Sequence, residues 1–239
     1  MLIRHLPVAL GLLSAVGLLL GGCAVAGPTG SVSTVDGEVD GSVRGVRLDG
    51  TGDLHVSTGE TASLTVTAHE STHDELTSEV HDGVLILGVR PGVRLRSLGE
   101  ITYELVLPEV EGVTVRGTGD VAAELSPTDS LAVEVEGTGD VQAQGVDVDN
   151  LLVDIEGTGS VELSGTARSQ SVQIDGTGSY EGSGLTSENA VVTLSGTGNA
   201  DVEVTGELSA TADGTGSITY GGGARVSSST EGLGSVRER

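Results

Sequence analysis

Three sets of residues in this chain have types and spacings that could do chemistry. His69-Glu70-Ser71-Thr72-His73 matches the H-E-x-x-H pattern of zinc proteases letter for letter. In such enzymes the two His ligate zinc from one face of a helix, and the Glu activates the bound water. Asp53, Asp120 and Asp140 each follow a Gly-Thr-Gly triplet and suggest calcium ligation of the G-G-x-G-x-D kind. Cys23, the single cysteine, stands directly after Leu20-Gly21-Gly22 and a long apolar run. A signal peptidase that cuts before such a Cys leaves an amino-terminal residue with diacylglycerol on its sulfur.

The first two sets weaken when their surroundings are read. Three residues after the second His the extended zincin pattern needs Gly and finds Leu76, its later His position is Glu79, and Glu100 is too far away to serve as a third ligand. A helix long enough to carry the motif is not expected beside the strand-like Leu64-Thr65-Val66, so the motif reads as an acidic surface loop. His81 could add only adventitious metal binding. In the Asp column the acid sits one residue too early, and later copies place Ser160, Ser179, Asn199 and Ser217 there, which reads as a solvated column. The sequence therefore predicts no catalytic, cofactor-binding or metal-binding residue.

The cysteine signal stands. Leu6 to Leu20 is an almost purely apolar run of 15 residues, shorter than the ~20 that a spanning helix needs. Residues 1–22 read as a lipoprotein signal peptide, with lipidation of Cys23 as the membrane attachment on the extracytoplasmic face. Residues 23–44 are small, polar and Gly-rich and read as a flexible tether. The expected β-helix covers 45–236, and 237–239 are a tail.

The chain has 239 residues with 35 Asp+Glu against 11 Lys+Arg, all of them Arg, giving a net charge of −24. Such a chain repels phosphates, and with three Tyr, no Phe and no Trp it lacks stacking platforms, so nucleic acid is excluded as a partner. Hydrophobic residues at 36% exclude a disordered acidic tail. One Cys allows no internal disulfide, so stability must come from a core or from repetition.

Repetition is plain. Gly-Thr-Gly recurs at Gly50, Gly117, Gly137, Gly157, Gly176, Gly196 and Gly214, the last six copies 20, 20, 19, 20 and 18 residues apart. A degenerate Gly232-Leu233-Gly234 follows. A fixed period near 20 marks a solenoid whose units bury their apolar faces on one another. Four residues before the first Gly stand Val46, Val113, Val133, Val153, Val172, Val192 and Ala210; two before it, Leu48, Val115, Val135, Ile155, Ile174, Leu194 and Ala212. Four residues after it come Leu54, Val121, Val141, Val161, Tyr180, Ala200 and Ile218, while the intervening positions hold acids and other polar residues. Strict alternation predicts strands with one face inward. The parity places both glycines inward, where a side chain would strike the opposite wall, and the threonines in an outward ladder. That ladder reads as strand packing, since ice-binding helices show two threonine ranks and the partner column here is Asp/Ser. The fold class is all-β: a single-stranded parallel β-helix with coils of ~20 residues closed by Gly-Thr-Gly corners. Residues 57–110 break the register and are expected to form longer coils with a projecting hairpin or helical turn.

These residues resemble a known family. Repeated Gly-Thr-Gly-Asp/Ser-Val, the strand Ile101 to Pro108, the segment Asp82-Gly83-Val84-Leu85-Ile86 and a final Gly-x-Gly-Ser-Val are similar to the auto-transporter adhesin head GIN domain family, over about residues 45–236. The resemblance implies a right-handed β-helical, secreted or surface-exposed domain without an assigned activity, and it carries over no functional residue. The chain thus reads as a non-catalytic surface lipoprotein that presents an acidic β-helix to a protein or glycan. A structural envelope component without a ligand is the alternative. A carbohydrate-active enzyme is disfavoured, because only Arg90, Arg94 and Arg96 cluster, beside a turn.

Overall fold

The alternation of the repeat becomes strand wherever one side chain in two finds an interior. In the computed structural model, which describes residues 28–239, every member of the three inward columns is exposed by 2% or less. The fold is nearly all β, 63% strand and 3% helix, with parallel strands stacked as a β-solenoid of about 6 turns. The signal peptide 1–22 and Cys23 lie outside the described residues.

The amino-terminal part contains β1 (Val32–Gly37), β2 (Gly45–Leu48), β3 (Asp53–Thr58), β4 (Ser63–His69), the single helical turn α1 (Glu70–His73), β5 (Leu76–His81), β6 (Val84–Val89) and β7 (Thr102–Leu107). The repeat follows as β8 (Gly112–Val115), β9 (Val121–Glu124), β10 (Thr128–Val135), β11 (Val141–Ile155), β12 (Ser160–Ile174), β13 (Ser179–Leu194) and β14 (Asn199–Ala212). It ends in β15 (Ser217–Gly221), β16 (Arg225–Thr230) and β17 (Ser235–Glu238).

Rungs do not stack in chain order. β2 pairs in parallel with β6 on one side and β8 on the other, and β3 likewise lies between β7 and β9. The first rung made by the chain is therefore the second in the stack; residues 84–107 run beneath it, and the repeat then climbs above it. The interrupted register thus has two parts. β6 and β7 are a rung of the parallel stack, whereas β5 pairs antiparallel with β6, β4 with β7, and β1 with β4. The β5–β6 connection is Asp82-Gly83 with φ of 50° and 79°, both in the left-handed region that two-residue hairpin turns demand.

Three sequence expectations are corrected here. Within the stretch 23–44 read as a tether, Val32–Gly37 is strand and Val43 is fully buried. Val32 and Val35 remain exposed by 60% and 50%, so β1 is held by backbone pairing and leaves no apolar period to read. The tail 237–239 belongs to the last rung: β17 pairs with β15, and Arg239 reaches Asp201 and Glu203. The corner glycines are required by the rung below, not by the opposite wall. A Cβ on Gly157 would lie 2.9 Å from the carbonyl carbon of Gly137 and closer still to its oxygen, and the same obstruction recurs from Gly117 to Gly214 and from Gly119 to Gly216. That closeness lets Thr158 N–H donate to Gly137 O at 3.0 Å, a bond repeated up the stack.

Candidate functional site

The zinc-like motif is a clasp. His69 ends β4 and Glu70, Ser71, Thr72 and His73 form the single turn of α1. His69 Nδ1 donates to Gly30 O (3.2 Å) and His73 Nε2 to Ser33 O (3.0 Å), so both nitrogens carry hydrogens toward carbonyls. Glu70 accepts from Ser31 Oγ at 2.7 Å, and Ser71 Oγ accepts from Thr29 N at 2.9 Å. Buried Thr72 donates to Leu98 O at 2.6 Å. The motif is thus not the acidic surface loop expected from sequence: its polar groups fasten residues 29–33 to the end of β4 and to α1. Among the described residues no group of three His, Cys, Asp or Glu is placed to hold a metal.

The Asp column is also engaged, along the stack. Asp120 Oδ1 accepts from Asp140 N at 2.9 Å and Asp140 Oδ1 from Ser160 N at 2.6 Å; Asn199 Oδ1 repeats the contact with Ser217 N at 3.0 Å. Each side-chain oxygen satisfies a backbone donor of the next rung at the corner. Asp53, the first member, is exposed on β3. The outward threonines from Thr118 to Thr215 form the expected ladder beside this column.

Other features were not read from sequence. Inside the solenoid Tyr180 donates to Gln170 Oε1 (3.0 Å) and Gln170 Nε2 to Ser187 Oγ (2.7 Å), all three residues buried. Burial pushes the Tyr180 hydroxyl well above the usual tyrosine range and that of Tyr103 up to about 12. Outside, a polar groove of about 430 Å³ lies over Ala122 between His55, Glu104 and Gln142.

One outer face concentrates both charge and apolar surface. Along the rungs from β8 to β14, one outward column is Gly112, Ala132, Leu152, Ser171, Val191 and Ser209, set by the pairing register. Two residues further along the same strands come Glu134 and Asp154, and just past the strand ends Glu136, Glu156 and Asp175. Asp154 is held above the usual carboxylate range, first by burial and then by Glu156, Asp175, Glu134 and Glu136. Its Oδ1 is shielded from water and has no hydrogen-bond partner among the described residues.

Residues 43–224 match the family described as "Putative auto-transporter adhesin, head GIN domain". The chain belongs to this family. The head GIN match begins at Val43, inside the segment read as tether, and ends before β16. A solved structure of a putative adhesin from Bacteroides fragilis is 23% identical with a TM-score of 0.83, covering 89% of this chain and 99% of that one. A putative lipid binding protein from Parabacteroides distasonis is 20% identical with a TM-score of 0.72, covering 89% and 98%. A putative adhesin from Parabacteroides merdae is 22% identical with a TM-score of 0.63, covering 90% and 98%. At these identities the likeness is one of fold. No curated protein matches the chain. Among the described residues no helix is long and apolar enough to cross a membrane.

Proposed function

We propose that this head GIN protein is a non-catalytic, adhesin-like module, held at the extracytoplasmic face of the membrane by lipid on Cys23, that binds a protein or glycan partner along its solenoid. The observation that carries this reading is the disposition of its polar groups. On a stiff rod the outward side chains stand in straight ladders, and the candidate catalytic groups are engaged in holding rungs and the amino-terminal segment together. Catalysis needs acid, base and electrophile to converge on one reacting atom; binding needs only a stable surface of defined spacing. The family name and the naming of two structural neighbours as adhesins support the same class. Lipid attachment is supported by the Leu20-Gly21-Gly22-Cys23 signal. The test is to display the labelled full chain on arrays of surface proteins and glycans. Saturable binding to a defined member is expected, and a chain that binds nothing saturably is an envelope spacer.

A further inference from the structure

On the rod's outer face, the column containing Leu152 and Val191 forms one wall of a furrow running along the stack. Leu152 is 45% exposed and Val191 51%, at positions where the period-two pattern calls for polar side chains. The furrow holds about 470 Å³ around Leu131, Leu151 and Leu152 and a further 260 Å³ where Asn189, Val191 and Glu207 line it. From β10 to β14 it crosses four rung spacings, ~19 Å, the length of about six residues of extended chain. Its other wall carries Asn150 and Asn189, whose amides can pair with peptide groups.

Charge decides what fits. The acids two and four residues further along the chain border the apolar wall. Arg116, bridged to Glu136 at 2.7 Å, is the one cation paired with them among the described residues. The chain's 11 cations are all Arg, so it supplies no lysine to this strip. A second copy would bring the same acids against them on a chain of net charge −24, and anionic headgroups would be repelled as well. We infer that this furrow binds an extended polypeptide segment whose apolar side chains lie against Leu152 and Val191 and whose Lys or Arg side chains meet the acids beside them. The inference rests on the adhesin-like reading above and names where and what it binds.

The test uses the immobilised full chain and a synthetic peptide of alternating Leu and Lys, with its Leu/Glu counterpart as control. The Leu/Lys peptide should bind saturably, more weakly as salt is added, and the control should not bind. Leu152→Ser with Val191→Ser should weaken binding at least about tenfold, equal to ~1.4 kcal/mol, and Glu134→Gln with Asp154→Asn should do so again. These positions face outward, and unchanged circular dichroism confirms that the variants fold. Equal binding by wild type and both double variants, or none by wild type, overturns the proposal. So does sedimentation showing a dimer that the Leu152/Val191 variant loses, or uptake of neutral phosphatidylcholine vesicles at this face. An arrayed ligand whose binding survives both double variants leaves the adhesin-like reading standing and removes this furrow from it.

Discussion

The corner glycines give the sharpest test of how the rungs are held, and Gly157→Ala is the perturbation. A β-carbon there meets Gly137 C at 2.9 Å and Glu136 C at 3.1 Å, with the Gly137 oxygen nearer than either. These are backbone atoms that cannot rotate away, so two rungs must part. Parting them stretches the bonds from Gly157 N to Val135 O (3.1 Å) and from Thr158 N to Gly137 O (3.0 Å). Overpacking costs ~1–3 kcal/mol and a lost hydrogen bond ~1, so the variant should lose roughly 2–4 kcal/mol. For a chain of this size that is a fall in Tm of roughly 5–15 °C. The control is Gly112→Ala, one strand position of the same sheet where the nearest atom is Gly45 Cα at 3.9 Å. There the methyl fits, and the reduced freedom of the unfolded chain should leave stability equal or higher by ~0.4–1 kcal/mol. Thermal unfolding followed by far-ultraviolet circular dichroism separates the two. The contrast also distinguishes the mechanisms, since a glycine kept only to clear the opposite wall would tolerate Ala and refuse Val. If Gly157→Ala melts with wild type, or if Gly112→Ala falls as far, axial stacking is not what selects the glycine.

Three further outcomes follow from charge, burial and the anchor. Asp154 has its pKa raised by burial and neighbouring acids, so its contribution to stability grows as pH falls through that raised value. Asp154→Asn should raise Tm at neutral pH, as should added salt, and flatten the gain on mild acidification; a lower Tm in the variant contradicts this. Tyr103 ionises at about 12 in the fold against 10.0 in the free side chain. Its contribution is complete below pH 10.0 and is lost, at ~1.4 kcal/mol per pH unit, as pH rises toward about 12. Tyr103→Phe should make that alkaline decline shallower, and an unchanged decline in a Tm series across this range shows that the hydroxyl does not set it. Cys23→Ala should abolish palmitate labelling, because acyl chains on that residue are the proposed attachment; persistent labelling, or a mature amino terminus mapped well downstream, refutes the anchor.

The inward columns were legible because burial imposes one choice at alternate positions, and Val133, Val153 and Val172 obey it without exception. Rung order was not legible. Every rung offers the same parallel edge, so nothing in Gly45–Leu48 says that β6 will lie on one side of it and β8 on the other. The Asp82-Gly83 hairpin was the available signal: it returns the chain antiparallel and places β6 beneath the first rung. The same asymmetry governs the site. A tandem repeat averages each outward column, so a reading by columns sees acids and threonines and passes over Leu152 and Val191, each a single departure from the pattern. Yet in a solenoid the pairing register brings residues 20 and 39 positions apart onto one line, as Ala132, Leu152, Ser171 and Val191 show. Departures scattered in sequence become adjacent on the surface. What the repeat conserves is the rod, and recognition can be written only where a rung differs from its neighbours. That is why the furrow beside Asp154, and not the zinc-like motif or the aspartate column, is where a partner should be sought.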